Sequence, residues 1–253
     1  MVIAERHKFI LDKLEQAGYV SVAALSREMN VTMVTVRKDL KLLEDKGLLY
    51  RSHGSATPVA PYVNDKPVNE KQLVQVEQKR AIARKASTLV NEKDAIIVGS
   101  GTTVLAFARA LPRDLPLTVL TGAMNVSMAL LDFPEVEIVQ LGGVVRKSSS
   151  SVVGHYAASM IEDFACSKLF ISVDGIDPEF GLTTSNMMEA HLNHVMIQSV
   201  QKTIVLADSS KFGKKSFGKI AALEDIDTII VDRALPSHYV QVLEDKGVEV
   251  LLV

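Results

Sequence analysis

Tryptophan is absent from this 253-residue sequence, and cysteine occurs once, as Cys166. A single thiol makes no internal disulfide and cannot alone supply the ligands of a thiolate zinc site. No apolar run reaches the roughly 18 residues that a membrane span needs. The N-terminus, MVIAERHKF, lacks the apolar stretch of a signal peptide. These absences point to a soluble, cytoplasmic chain with no membrane partner. Net charge is nearly missing as well, at −2. Apolar residues make up 47% and charged residues 23%. That is ordinary globular usage, which excludes a mainly disordered, collagenous or coiled-coil chain. The length favours two domains.

The small charge is unevenly spread. Residues 1–57 hold nine Lys and Arg against seven Asp and Glu, so the rest of the chain is net negative. This permits a nucleic-acid face near the N-terminus. Over residues 2–17, Ile3, Ile10, Leu11 and Leu14 fall on one helical stripe, and Gly18 is a helix stop. An extended piece follows at 19–22, then a second helix over about 23–29. Asn30-Val31 reads as a tight turn. Thr32 caps a third helix to about Lys46, with Val36, Leu40 and Leu43 facing inward, and Gly47 ends it. Residues 48–57 read as a hairpin with Gly54 at its turn.

Residues 20–39 therefore form a helix-turn-helix candidate. The third helix carries Thr32, Met33, Thr35, Arg37, Lys38 and Lys41 away from its apolar side. Lys and Arg neutralise phosphates or read guanine edges, Thr hydroxyls reach phosphates, and methyl groups meet thymine. Arg51 and His53 stand on the hairpin, which fits a wing. The same pattern also suits a small helical module whose charged face is merely solvated, or one that binds protein.

Pro58, Pro61 and Pro67, among Asn64 and Asp65, mark a linker over 58–70. The domains are then 1–57 and 71–253. A long polar helix is expected over about 70–90, amphipathic at Ile82, Ala86 and Leu89. Beyond Asp94, Val- and Ile-rich runs recur at 95–98, 117–120, 136–141, 169–173, 203–207, 228–231 and 248–253, mostly separated by helical stretches. This is the rhythm of an α/β domain with a mostly parallel sheet, and the lack of alternation fits strands buried on both faces.

Ser100-Gly101-Thr102-Thr103 follows the first of these runs and opens a helix. A strand, a glycine turn and a helix N-terminus make an anion site. Thr121-Gly122 and Leu141-Gly142-Gly143 follow the next two runs. In an open parallel sheet, loops after the strands share one edge, where ligands bind. Asp174-Gly175 and the Asp208–Lys211 stretch belong to the same edge. Lys211 would neutralise phosphate, while Asp174, Asp208 and Glu189 would accept hydrogen bonds from sugar hydroxyls. Each loop is also readable as an ordinary turn, Asp208 as a loop cap and Lys211 as a solvated lysine. His191 and His194 are three apart on a helix, with no further cluster to make a metal site. Cys166 reads as a buried thiol, and Met124, Met128, Met187, Met188 and Met196 as core or pocket lining. No nucleophile–base–orienter set is visible.

The stretch Val31-Thr32-Met33-Val34-Thr35-Val36-Arg37-Lys38-Asp39-Leu40 carries a closer signal. So do Leu43-Glu44, Gly47, Leu49, Arg51 and His53-Gly54 after it. Downstream stand Ser100-Gly101-Thr102-Thr103, Leu141-Gly142-Gly143, Asp174-Gly175, Gly181-Leu182-Thr183, Glu189-Ala190 and Leu206-Ala207-Asp208-Ser209-Ser210-Lys211-Phe212-Gly213. In this order and spacing they resemble the DeoR family of bacterial transcriptional repressors over nearly the whole chain.

The resemblance implies a winged helix-turn-helix followed by a sugar-phosphate-sensing domain similar in fold to ribose-5-phosphate isomerase. It implies a repressor of a sugar-metabolism operon, released from or retuned on DNA by a phosphorylated sugar, with no cofactor or metal. Double-stranded operator DNA would meet Thr32, Thr35, Arg37, Lys38, Lys41, Arg51 and His53. The effector would meet Ser100, Gly101, Thr102, Thr103, Thr121, Gly142, Gly143, Asp174, Gly175, Glu189, Asp208 and Lys211. Paired half-sites imply a homodimer or homotetramer.

Four positions depart from the family pattern. Gly99 replaces a common Asp, Gly122 an Asn, Asn193 a Lys, and Ser55 the second Gly of the wing. The first three remove polar or charged groups near the expected ligand and weaken the case for enzyme chemistry. The competing readings are a sugar-phosphate isomerase with an appended DNA-binding domain, its base being Glu189, Asp174 or Asp208, and a protein-interaction module.

Overall fold

The computed structural model describes residues 2–17, 19–52, 54–58 and 67–253. The chain divides into two compact units, Met1–Asn64 and Asp65–Val253. Gly18, His53 and 59–66, including Pro61, Asn64 and Asp65 of the expected linker, lie outside the described residues.

The first unit runs α1 (Ile3–Ala17), β1 (Val20–Ser21), α2 (Val22–Met29), α3 (Met33–Asp45), β2 (Leu49–Ser52) and β3 (Ser55–Pro58). Ser21 caps α2 by accepting from Ala24 N–H at 3.1 Å. Asn30 takes the left-handed conformation (φ 51°) that ends α2. The Thr32 hydroxyl then accepts from Thr35 N–H at 3.2 Å and opens α3. β3 pairs antiparallel with both β1 and β2. Ile10, Leu14, Leu25, Val36, Leu40, Leu43 and Leu49 form the core. Ile3, expected on the inner stripe, is half-exposed instead, about two turns before Ile10, where the core begins.

A polar tie fixes α3 against α1. Asp39 is 1% exposed. It accepts from Arg6 Nε at 2.7 Å and Nη2 at 3.0 Å, with His7 Nε2 at 3.3 Å. The hydrogen bond from Arg6, with the Asp39 charge and against burial, raises the guanidinium pKa further. The same helix thus turns one acid inward while its lysines and arginine face out.

The second unit opens with α4 (Val68–Gln72) and α5 (Val76–Ser87). One helix over 70–90 was expected; the break falls at Gln75, which is left-handed (φ 53°). Leu73 and Val74 are exposed, so no apolar stripe holds the helix together there. Lys79 compensates for the break. Its Nζ donates to Lys71 O at 2.5 Å and Val74 O at 2.6 Å, satisfying carbonyls that the interruption frees. The stretch expected as linker is already structured at Val68, whose N–H donates to Ser148 O at 2.7 Å.

Burial lowers the Lys79 pKa from 10.5 to about 8, despite the attraction of Asp208. Between those values the unfolded chain binds more protons than the folded one, so stability rises with pH there. Relative to Lys79→Met, the wild-type protein is expected to gain thermal stability between pH 8 and 10.5. Parallel melting curves for the two proteins across that range would refute the assignment.

Next come β4 (Ala95–Val98), α6 (Thr102–Ala110), β5 (Leu117–Thr121), α7 (Met124–Leu130), β6 (Val136–Gln140), β7 (Val144–Arg146) and β8 (Ser151–Val153). The chain continues through α8 (His155–Ile161), β9 (Cys166–Ile171), β10 (Gly175–Asp177), β11 (Gly181–Thr184), α9 (Met187–Gln198) and β12 (Val200–Leu206). It ends with β13 (Gly218–Ala221), β14 (Thr228–Val231), α10 (Ser237–Asp245) and β15 (Glu249–Leu252). Seven strands form one sheet in the order β15-β14-β12-β9-β4-β5-β6. Every pairing in it is parallel.

Successive strand residues enter opposite faces, and both faces are buried. Ile97, Leu169, Ile171 and Val205 pack with α8 and α9 through Ile161, Leu192 and Met196. Ile96, Val98, Phe170 and Ile204 pack with α5, α6 and α7 through Ile82, Phe107 and Val126. Phe107 stacks on Phe170 with ring centroids 4.2 Å apart. Two smaller sheets went unforeseen, the antiparallel trio β10-β11-β13 and the hairpin β7-β8. Their strands are only three or four residues long, and Gly175, Gly181 and Gly218 dilute the β signal. Met196 is buried, but Met128, Met187 and Met188 are exposed rather than core. No described helix is long and apolar enough to cross a membrane.

Candidate functional site

The sheet order reverses between β4 and β9. Chain order runs outward from β4 through β5 and β6, then returns to β9 and continues the other way. At such a switch the loops after two neighbouring strands separate and leave a crevice at the carboxyl edge. A cleft of about 560 Å³, open to solvent, lies there, lined by Ser100–Thr103 after β4 and Ser172–Asp174 after β9.

The loop after β4 is shaped for close approach. Gly101 has φ 122°, and a Cβ on it would stand 2.2 Å from Ser172 Oγ. Ser172 Oγ donates to Ser100 O at 3.0 Å, locking the turn. Gly101 is the N-cap of α6 and offers no side-chain oxygen to the helix. The first N–H groups of α6 therefore lack an intrahelical or capping acceptor, and the helix dipole adds partial positive charge.

Three cations reach the cleft. Lys71 arrives from α4 and binds Asp174 Oδ1 at 2.8 Å. Arg146 arrives from β7 and binds Glu189 Oε2 at 3.0 Å. Lys211 lines the cleft and forms no ion pair with a described residue. Each acid is held further. Glu189 accepts from Ser100 Oγ at 2.9 Å and Thr184 Oγ1 at 3.1 Å. Asp174 accepts from Ser185 N–H at 3.2 Å, and the Thr184 hydroxyl, also 3.2 Å away, shares its one proton between Asp174 and Glu189. Burial works to raise the Asp174 carboxyl pKa. The charges of Lys71 and Lys211, with the hydrogen bonds from Lys71 and Ser185, outweigh it and hold the group below its ordinary value.

Seven of the expected effector residues line this cleft: Ser100, Gly101, Thr102, Thr103, Asp174, Glu189 and Lys211. Five stand elsewhere. Thr121 is fully buried, donating to Val98 O at 2.6 Å and accepting from Ala123 N–H at 3.0 Å. Gly142 N–H meets Met160 Sδ at 3.2 Å, and Gly143 lies where a Cβ would come 2.8 Å from Val153 O. These two glycines start the β7-β8 hairpin rather than an anion loop. Gly175 packs in β10 against Lys214 O. Asp208 caps the turn that carries Lys211, accepting from Ser210 N–H at 3.1 Å.

Lys71, Arg146, Ser148, Ser149, Ser172 and Thr184 also line the cleft and went unread in the sequence. The serine run 148–151 was the one visible signal. His191 and His194 are exposed on α9, with His194 Nδ1 3.0 Å from Ile220 O. No group of three metal-ligating side chains occurs among the described residues. Cys166 is buried, and burial raises its thiol pKa.

In the first unit, Arg37, Lys38 and Lys41 are exposed on one face of α3 with Val34, opposite Val36, Leu40 and Leu43. None of the three cations forms an ion pair with a described residue. Thr32 and Thr35 stand at the start of the helix, their hydroxyls 3.0 Å apart. Exposed Met33 and Val34 put apolar groups beside them; Val34 was not foreseen there. Arg51 is less available than expected. Its Nε binds Glu44 Oε2 at 2.6 Å and its N–H binds Glu44 Oε1 at 3.0 Å. The guanidinium hydrogen bond leads in lowering the Glu44 pKa.

A helix-turn-helix with an exposed cationic helix and a following hairpin, joined to an α/β unit with a cation-lined cleft, defines a DNA-binding transcriptional regulator. Residues 6–60 match the DeoR-like helix-turn-helix domain, and residues 74–233 match the DeoR C terminal sensor domain. The chain belongs to the DeoR family. It is 37% identical to a putative aga operon transcriptional repressor of Escherichia coli, over 99% of this chain and 94% of that one. It is 27% identical to the glycerol-3-phosphate regulon repressor of Escherichia coli, over 98% of each chain. Among solved structures, ribose 5-phosphate isomerase A from Neisseria gonorrhoeae aligns with 55% of this chain and 54% of its own, at 18% identity and a TM-score of 0.41.

Proposed function

We propose that this protein is a cytoplasmic repressor of a sugar-metabolism operon, and that a phosphorylated sugar in the β4/β9 cleft governs its hold on DNA. The observation that carries the effector reading is the convergence of the uncapped α6 N-terminus with Lys71, Arg146 and Lys211. A phosphate there receives backbone N–H groups, a helix dipole and cationic side chains together. Asp174, Glu189 and Thr184 face the sugar. Thr32, Thr35, Arg37, Lys38 and Lys41 meet the operator, with Arg51 of the hairpin beside it; His53, outside the described residues, is proposed as a further contact. Two copies reading paired half-sites make the protein a homodimer or homotetramer. The ligand acts by binding one DNA-related state better than the other.

The protein is proposed to be a sensor and not an isomerase. Proton transfer between adjacent carbons needs a base free to accept. Both cleft carboxylates are engaged, Asp174 by Lys71 and Glu189 by Arg146 and Ser100. Ribose 5-phosphate and hexose 6-phosphates are expected to show no turnover above a buffer blank. Turnover that disappears in Glu189→Gln would reverse this assignment. The repressor reading is tested by electrophoretic shift on the chain's own promoter region: a specific complex is expected, lost on adding one member of a phosphorylated-sugar panel. Equal binding to random DNA, with no response to any member, would refute it.

A further inference from the structure

Five apolar side chains stand in water on one side of the second unit. Val144, Tyr156, Met187, Met188 and Phe217 each expose between 45% and 76% of their surface. They border one another around the starts of α8 and α9. A Cβ placed on Gly154, the N-cap of α8, would stand 3.4 Å from Met188 Cε and 4.0 Å from Val144 Cγ2. A Cβ on Gly218 would stand 3.3 Å from Met187 Sδ, which sets Phe217 beside α9. Tyr156 lies on the first turn of α8, its ring centroid 6.2 Å from that of His155.

Charge is missing from this face. Residues 148–161 and 181–188 contain no Asp, Glu, Lys or Arg, in a chain where those types make up 23%. Solvated surface is rich in charge, whereas the cores of contacts between proteins are depleted of it. The strand at the border of the face is open as well. β7 pairs with β8 alone among the described strands. Edge strands left in water normally carry a charge or a proline against further pairing. Val144 and Val145 are both exposed apolar residues, and the one cation of the strand, Arg146, turns to Glu189.

These two features select the occupant. A different protein is steered and matched by opposite charge, which this face does not offer. In a twofold contact each residue near the axis meets its own copy, so any charge there meets its like. An uncharged face satisfies that condition, and a twofold axis through β7 sets the two edge strands antiparallel. We propose that this face joins two copies of the chain, with the β7 edges paired across the axis and Val144, Tyr156, Met188 and Phe217 closing around them. The proposal rests on the reading of the protein as a homodimer or homotetramer and names the surface that makes it one. The same hairpin brings Arg146, Ser148 and Ser149 to the cleft, so the partner copy braces one of its walls.

The test is sedimentation velocity of the full-length protein as wild type, Val144→Glu, Tyr156→Glu and Leu252→Glu. Leu252 is the control: it is exposed on β15, at the opposite end of the main sheet. Wild type and Leu252→Glu should sediment as the same oligomer. Val144→Glu and Tyr156→Glu should each weaken association about a hundredfold or more, with circular dichroism and melting unchanged, because the contact would bury an unpaired carboxylate from each copy. Cross-linking gives a second readout that needs no loss of binding. Cys166 is buried, so a cysteine placed on the face is the accessible thiol. At least one of Val144→Cys, Val145→Cys and Tyr156→Cys should form a disulfide-linked dimer under mild oxidation, and Leu252→Cys should not. A wild-type oligomer that both folded glutamate variants leave intact, or three face cysteines that all stay unlinked, would overturn the proposal. A wild type that sediments as a monomer would instead bring down the oligomer reading, and the proposal with it.

Discussion

Lys211→Ala is expected to leave operator binding intact and to abolish its reversal at effector concentrations that just release the wild type. Lys211 lies in the second unit, in the cleft at the sheet's switch point. Lys71 and Arg146 already hold internal carboxylates, at 2.8 and 3.0 Å. An arriving phosphate must compete for those two, whereas Lys211 is committed to no described acid. Losing it removes a charge-assisted contact of about 1.5–3 kcal/mol, or roughly 10- to 150-fold in effector affinity. Thr102→Val should act in the same direction with a smaller effect, because its backbone N–H remains. Anisotropy titrations of the DNA complex with the active sugar phosphate would measure both. Wild-type sensitivity in Lys211→Ala would remove this lysine from the site.

The opposite failure is expected of Arg37→Ala: operator affinity lost, effector binding retained. Arg37 shares the exposed face of α3 with Val34, Lys38 and Lys41. A base contact costs about 1–3 kcal/mol and relaxes specificity at one position, while a phosphate contact weakens all sequences alike and reduces the salt slope. Comparing specific and random DNA over a range of salt separates the two. Unchanged affinity for both would displace Arg37 from the interface. Asp39→Ala is the control for fold, since it breaks the Arg6 tie that orients the helix. It should lower the melting temperature of the first unit as well as DNA affinity, whereas Arg37→Ala should leave melting unchanged.

The long-range frame was legible because its signals are local. The seven main-sheet strands are short Val- and Ile-rich runs, the inner ones buried on both faces, and each falls at or within a few residues of its expected place. The cap at Thr32 and the inner stripe Val36, Leu40, Leu43 could be read for the same reason. The main cleft was half legible. A loop directly after a strand has its edge assigned by chain direction, so Ser100–Thr103 and Asp174 could be placed. Lys71 and Arg146 could not, since one depends on a helix break at Gln75 and the other on a hairpin opened by Gly142 and Gly143. Those glycines and Thr121 had been assigned to the anion site, yet they serve backbone geometry and a buried hydrogen bond. The pairing of Asp39 with Arg6 spans 33 residues and leaves no periodic trace.

The division of labour between the two units is tested most directly by one titration series. A promoter fragment bound to full-length protein is titrated with the active sugar phosphate, in wild type, Arg37→Ala and Lys211→Ala, with a thermal shift recorded for each protein and ligand. Wild type should bind and release. Lys211→Ala should bind and not release at concentrations that just release the wild type. Arg37→Ala should fail to bind DNA while keeping its ligand-induced thermal shift. Loss of DNA binding in folded Lys211→Ala, or loss of the thermal shift in folded Arg37→Ala, would contradict the account.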